Sequence, residues 1–170
     1  LFIGIEMAEI INNYLSPSNF TISIQRIPNI EFFVQSLTLP SLTATPTSRE
    51  TPLTTMFEIN DKLQYSDLEM SFILDENMNN YKEILEWLEG ISGSQSPNDT
   101  KSLSLSKYGF KSDIIATITN SHKNPNVKFT FRDCFPTALG SVELNVNTQD
   151  VAYATCNVTM RYDIFTMEQL

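Results

Sequence analysis

The chain has 170 residues, of which 41 % are hydrophobic and 18 % are charged, and its net charge is −9. This length and composition are those of a folded protein that can bury a sizeable core. The acidic balance argues against tight nucleic-acid binding, because such binding needs clustered lysine and arginine to displace counterions from phosphates. No apolar run reaches membrane-spanning length, so no membrane insertion is expected.

The first 18 residues are expected to form an arm or a short helix that packs on a neighbour, and residues 19–170 a single β-domain. Residues 1–15 are apolar but contain Glu6 and Glu9. They lack a basic region and a small-residue cleavage site, so they are not predicted to be a signal peptide. Leu1 is not an initiator methionine, which makes Met7 a candidate for the start of the native chain.

Two strands are predicted over residues 19–27 and 31–39, where apolar and polar side chains alternate. The turn at Pro28 and Asn29 is expected to join them into a hairpin, and Pro40 to end the second strand.

Residues 41–64 are rich in threonine and proline and show no clear apolar face. Two interpretations stay open: an extended hairpin reaching off the body, which the threonines favour, and a plain surface loop. The apolar side chains of this segment follow no strict period; they are Leu53, Met56, Phe57 and Ile59.

Residues 65–90 predict a strand that runs directly into the one convincing helix. Alternation from Leu68 to Leu74 gives the strand one buried face. Asp75 or Asn77 is expected to cap the helix, and Gly90 to end it. The helical spacing places one apolar stripe on Tyr81, Ile84, Leu85 and Leu88, and a solvated face on Glu83, Glu86 and Glu89. Trp87 is predicted to anchor either the core or an interface.

The remaining chain predicts further strands with short turns. Residues 91–106 are expected to form a flexible loop, 113–119 and 127–131 two strands around a turn, and 134–140 a break. A short element at 142–144 and a long last strand over 154–163 follow. About seven mostly antiparallel strands indicate a mainly β fold, a sandwich or barrel with one flanking α-helix.

No arrangement of residues predicts catalysis, a metal or a cofactor. His122, the single histidine, lies in a predicted turn without a group to orient it. Cys134 and Cys156 are 22 positions apart and are expected to be buried free thiols. The protein is therefore not expected to be an enzyme.

The charges are segregated along the chain. Nine acidic residues and two lysines between Glu58 and Glu89 give a net charge of −7, and six basic residues and one aspartate between Lys101 and Arg132 give +5. These segments either neutralise one another within one subunit or bring copies together head to tail, as in rings and filaments. Lys107 and Lys111 are the basic contact candidates.

The order of features resembles the tail tube proteins of T4-like contractile-tailed bacteriophages. The resemblance covers residues 19–165, and its most specific parts are FILDENMNNYKEILEWL and FPTALGSVELN. The leading NFTISIQ strand, the strand ending in LTLP and the final VAYATCNVTMRYDIF strand occur in the same order.

The resemblance implies a virion protein, assembled in the host bacterial cytoplasm, whose rings of six copies stack into a tube with a continuous β-barrel as its inner wall. The implied partners are further copies of the chain, the tail sheath, the baseplate and the tape-measure protein. DNA would pass through the lumen without specific binding. The segment after the first hairpin is implied to contact neighbouring subunits, so the candidate contact residues are Leu53, Met56, Phe57, Ile59, Lys107, Lys111, Glu83, Glu86 and Trp87.

Two other functions remain open. One is a tube initiator, a tube terminator or a type VI-like tube protein of the same fold. The other is a monomeric β-sandwich that binds a ligand or another protein.

Overall fold

The computed structural model describes residues 14–30, 33–58, 62–93, 97–107, 109–145 and 153–170. Most of the predicted N-terminal arm, and Ile59, lie outside these residues. The described elements are β1 (Phe20–Ile24), β2 (Val34–Thr38), β3 (Leu42–Ala44), β4 (Thr47–Glu50), β5 (Thr55–Glu58), β6 (Leu63–Tyr65), β7 (Leu68–Ile73), α1 (Asn79–Ser92), α2 (Pro97–Leu105), β8 (Ser112–Thr119), β9 (Pro125–Leu139), β10 (Thr155–Arg161) and β11 (Ile164–Gln169).

The main β-structure consists of two antiparallel sheets that share strand β9. In the first sheet, β1 pairs with β8, β8 with the first part of β9, and β9 with β11. In the second sheet, the last part of β9 pairs with β10, β10 with β7, and β7 with β2. The mainly β, antiparallel fold predicted from the sequence is confirmed.

Strand β9 changes sheets at Asp133, whose backbone has a φ of 57°. Its amide donates to the Asp113 carboxylate at 3.1 Å, which holds this unusual conformation next to β8. The predicted break at residues 134–140 is wrong, because β9 continues to Leu139. Pro136 fits there because the last part of β9 pairs with β10 alone among the described strands, and a proline is tolerated where one strand edge is open.

One apolar cluster receives side chains from both sheets. The alternate residues of β7 and β10 point into it as predicted, with Phe72 and Met160 fully buried. On the first sheet, Ile22, Ile114 and Phe131 are equally buried. The cysteines are free thiols buried in the same cluster, also as predicted.

Helix α1 is rotated and longer than the sequence indicated. Its buried residues are Asn80, Ile84, Trp87 and Gly90, so the apolar stripe is displaced from the predicted one. Met78, in the left-handed conformation, precedes the helix in place of an aspartate or asparagine cap. The helix passes Gly90 and ends at Gly93, where a φ of 62° favours glycine.

Asn80 explains how the helix starts without a conventional cap. This buried side chain donates to the carbonyl oxygen of Ile73 at 2.8 Å and accepts hydrogen bonds from the amides of Asp75 and Tyr81. It therefore joins the end of β7 to the first turn of α1, and both polar ends of the amide are satisfied in a buried site.

Several other predictions are wrong in detail. Strands β1 and β2 do not form a hairpin, because β1 pairs with β8 and β2 with β7. The loop predicted over 91–106 contains the end of α1 and helix α2. The described residues form eleven strands instead of about seven, mainly because residues 42–65 contribute four and the C-terminal segment divides into β10 and β11. The residues at 142–144 form no strand.

Candidate assembly surfaces

The described residues 42–58 and 62–65, here called the arm, form the extended hairpin that was one of the two alternatives. Strand β3 pairs with β6 at its base, and β4 pairs with β5 farther out. Every residue of β3, β4 and β5 is exposed. A two-stranded hairpin is at best marginally stable alone in water, and the arm gains little support from the rest of its own subunit beyond its base.

The arm carries large apolar side chains on both of its faces. Leu53, in the turn between β4 and β5, is 98 % exposed, and Phe57 is 73 % exposed. Met56 is 56 % exposed and is adjacent to Phe57 in β5, so the two side chains point to opposite faces. Large apolar side chains exposed on both faces make the arm a candidate for contact with another protein surface.

A cleft of about 670 Å³ lies at the base of the arm, between β6 and the corner where β10 leads into β11. Its lining residues are Leu63, Gln64, Tyr65, Phe135, Arg161, Tyr162 and Asp163. Tyr65 packs edge-on against Tyr162 and Phe165, with ring centroids 6.0 and 5.8 Å apart, and so attaches the arm to the core.

The charged residues at this cleft are paired within the subunit. Arg161 donates to the carboxylate of Asp67, and Lys111 donates to Asp163 at 2.7 Å. The hydrogen bond to Asp163 raises the pKa of the Lys111 ammonium group. Lys111, a predicted inter-subunit contact, is therefore already engaged by the C-terminal strands of its own chain. Lys107, the second predicted basic contact, is exposed just after α2.

The predicted contact residues of α1 differ in their exposure. Trp87 is 1 % exposed: its indole N–H donates to the Phe110 carbonyl at 2.9 Å, and Arg26 lies over its ring at 5.2 Å. It is thus a core residue with no surface for a neighbour. Glu86 is exposed, and its carboxylate lies 3.6 Å from the Lys82 ammonium group one turn earlier in the helix, whereas Glu83 is half-buried.

The second sheet presents a face of small polar side chains opposite its core. Strand pairing aligns Thr38 with Glu69 and Glu69 with Thr159. The next row aligns Ser36, Ser71 and Asn157 in the same way. The sequence predicts the polar alternation in β7 and β10. It does not predict that β2 extends the same surface, because the predicted hairpin pairs β2 with β1.

The described residues contain no group of three histidine, cysteine or acidic side chains placed to hold a metal ion. His122 is exposed in the turn between β8 and β9. Burial raises the pKa of Cys134 to about 12 and also raises that of Cys156, which disfavours the nucleophilic thiolate. Among the helices described, none combines the length and apolar character needed to cross a membrane.

Solved structures of contractile injection machines share this fold. The tube-terminating cap of the anti-feeding prophage aligns with a TM-score of 0.68 at 15 % identity, over 99 % of this chain and 100 % of that chain. The sheath–tube complex of the extracellular contractile injection system PVC, in its extended state, gives 0.65 at 14 % identity, over 94 % and 95 %. The PVC sheath/tube terminator gives 0.66 at 15 %, over 93 % and 99 %.

A search of curated proteins found no match to the chain. A sequence model of the phage tail tube protein family, in contrast, matches residues 3–168. The match spans nearly the whole chain. The chain belongs to the phage tail tube protein family and is a structural component of the virion tail, not an enzyme.

Proposed function

We propose that this chain is the subunit of the inner tube of a contractile tail, in which six copies close into a ring and the rings stack. The observation that carries the proposal is the arm, whose strands β3, β4 and β5 are exposed throughout although β5 bears Met56 and Phe57. Covering those side chains with neighbouring copies gives the arm the support that its own subunit lacks.

The edges of the second sheet support ring closure. Within the described chain, β2 and the last part of β9 each pair on one side only. An open edge exposes a row of backbone donors and acceptors that pair readily with another strand. Pairing between the edges of adjacent copies would extend four strands per subunit into one continuous wall.

The polar face of the second sheet is the proposed lining of the lumen. Glu69 is its only charged residue in the two aligned rows, beside serine, threonine and asparagine. Arg161 lies farther along the same face of β10, and its guanidinium group is paired with the Asp67 carboxylate. A wall of mostly short neutral side chains, on which this cation is already neutralised, holds a phosphate only weakly, so DNA and a tape-measure protein can move along it.

The sheath is proposed to contact the outside of the tube, and the baseplate its end. Glu86 on α1 and Lys107 after α2 are exposed and lie away from the arm in sequence, so they are candidates for contacts with the sheath or with neighbouring copies. The exposed arm residues Leu53, Met56 and Phe57, with Ile59, remain the candidates for contacts between copies.

The second candidate function is termination of the tube, because two of the three structures compared above are tube-terminating proteins. Negative-stain microscopy of the purified protein, over a range of concentrations, separates the alternatives. Long tubes are expected for a tube subunit and isolated six-membered rings for a terminator. A monodisperse monomer at the highest concentration would contradict both and favour a monomeric binding module.

A further inference from the structure

The turn at the far end of the arm is held by hydrogen bonds and exposes an apolar side chain. The amide of Thr51 donates to the carbonyl oxygen of Thr54 at 3.0 Å, and the Thr51 hydroxyl both donates to that carbonyl and accepts from the Thr54 amide. These bonds close residues 51–54, here called the tip, into a fixed turn that carries Leu53 at 98 % exposure. Because these bonds restrict the turn locally, docking it costs less conformational entropy than docking an open loop of the same length.

The cleft at the base of the arm has the matching properties. Its apolar lining includes Leu63, which is 58 % exposed, together with Tyr65 and Phe135. Its volume of about 670 Å³ lies within the range of clefts that bind a compact ligand. Tyr162, which also lines it, is 4 % exposed, and its hydroxyl has no hydrogen-bond partner in the described part of the chain. That oxygen is enclosed within the subunit, so the small exposed part of Tyr162 contributes to the lining without offering a hydrogen-bonding group to a docking segment.

The electrostatics of the two surfaces also match. The tip contains no charged residue. The charged residues of the cleft, Arg161 and Asp163, are already paired with Asp67 and Lys111. The uncharged tip can therefore enter the cleft without leaving a charge unpaired, whereas a charged segment would find the charged groups of the cleft already paired within the subunit.

The tip cannot reach the cleft of its own chain. The four paired positions of β4 and β5 lie between the tip and the base of the arm and span about 13 Å at the usual rise of an antiparallel strand. Strands β3 and β6 lie at the base itself. The exposure of Leu53 agrees, because a tip folded back on the cleft would be covered. The tip and the cleft of one chain cannot contact each other, so each can pair only with another copy. Such a contact is heterologous and propagates from copy to copy.

We propose that the tip of each copy docks into the cleft at the base of the arm of a neighbouring copy, with Leu53 on the apolar lining formed by Leu63, Tyr65 and Phe135. This inference rests on the proposed assembly into a tube and names the contact that links the copies. Each subunit then contributes one tip and one cleft, so its arm takes part in two contacts, one at the tip and one at the base.

Disulfide trapping tests the contact. Thr54→Cys and Gln64→Cys place one exposed thiol in the tip and one in the cleft, and both leave Leu53 intact. The native thiols of Cys134 and Cys156 are buried and do not compete. A disulfide forms only when the two Cα atoms come within roughly 7 Å, so mild oxidation of assembled tubes should give a reducible ladder of covalent multimers. The matched control combines Thr54→Cys with Ser121→Cys, in the exposed turn between β8 and β9, and should give no ladder.

The outcomes separate this contact from assembly itself. Tubes that yield the ladder with the cleft thiol and not with the control support the docking. Tubes that yield no ladder, or equal ladders with both, overturn the docking and leave the tube function standing. A protein that stays monomeric by light scattering, with neither tubes nor ladder, overturns the proposed function and the docking with it.

Discussion

Truncation of Leu53 should weaken assembly without affecting the subunit. The side chain is 98 % exposed, so Leu53→Ala removes no contact within the chain and should change the free energy of unfolding by less than about 0.5 kcal/mol. If a neighbouring copy buries it, the lost burial is about 2 kcal/mol at each contact, since full burial of a leucine stabilises by roughly 1.5–3 kcal/mol. At 1.4 kcal/mol per factor of ten, the critical concentration for tube formation should rise about thirtyfold.

Sedimentation of tubes over a dilution series measures the critical concentration, and thermal unfolding of dilute protein measures the subunit. Leu105→Ala is the matched control, because this leucine is 78 % exposed at the end of α2 and lies outside the arm. It should leave the critical concentration unchanged. Equal effects of the two substitutions, or a lowered melting temperature for Leu53→Ala, would refute the reasoning.

Three further predictions concern single groups. Tyr162→Phe removes a buried hydroxyl that has no hydrogen-bond partner in the described part of the chain and should raise the free energy of unfolding of the monomer by about 1 kcal/mol in urea titrations; a destabilised monomer would contradict this. The Cys134 thiol should make stability fall as the pH rises from about 9 to about 12. The unfolded thiol ionises near pH 9 and the folded one near 12, so the stabilisation is complete below pH 9, and Cys134→Ala should flatten the loss in urea titrations. Asn157→Arg, on the polar face of the second sheet, should give tubes that retain short DNA in low salt and release it in high salt, unlike Ser121→Arg; equal retention by the two variants would exclude this face from the lumen.

The elements that the sequence predicted well are those whose periodicity reports burial directly. Strands β7 and β10 follow the alternation of their side chains, because one face of each is buried and the other is polar. The pairing of strands was harder to predict from the sequence. Strands β1 and β2 are close in sequence, but each joins a different sheet. That choice depends on contacts far along the chain, which local patterns do not contain.

The errors at α1 and β9 have local physical causes. Met78 has a left-handed backbone and no capping side chain, so no residue type marked the helix start; the signal was Asn80, which bonds back to β7 from inside the first turn. Pro136 and Gly140 suggested a break in β9, yet proline fits where one strand edge is open. Gly140 fits because a Cβ there would come within 3.0 Å of the Asn157 carbonyl oxygen.

Part of the candidate contact surface could be predicted from the sequence, and part could not. The absence of a regular period among Leu53, Met56 and Phe57 indicated that they do not belong to a core, and all three are exposed on the arm. Trp87 was ambiguous because its position on the helix depends on the rotation of α1, which packing sets. The cleft had no signal, since its lining comes from three separated segments of the chain.

Strand β9 has a mechanical consequence. It covers 15 residues and passes from the first sheet into the second at Asp133, where the backbone φ is 57°. A pull on one sheet is therefore transmitted to the other along covalent backbone bonds as well as through side-chain packing. The two sheets should therefore resist a force along β9 together and unfold as one unit.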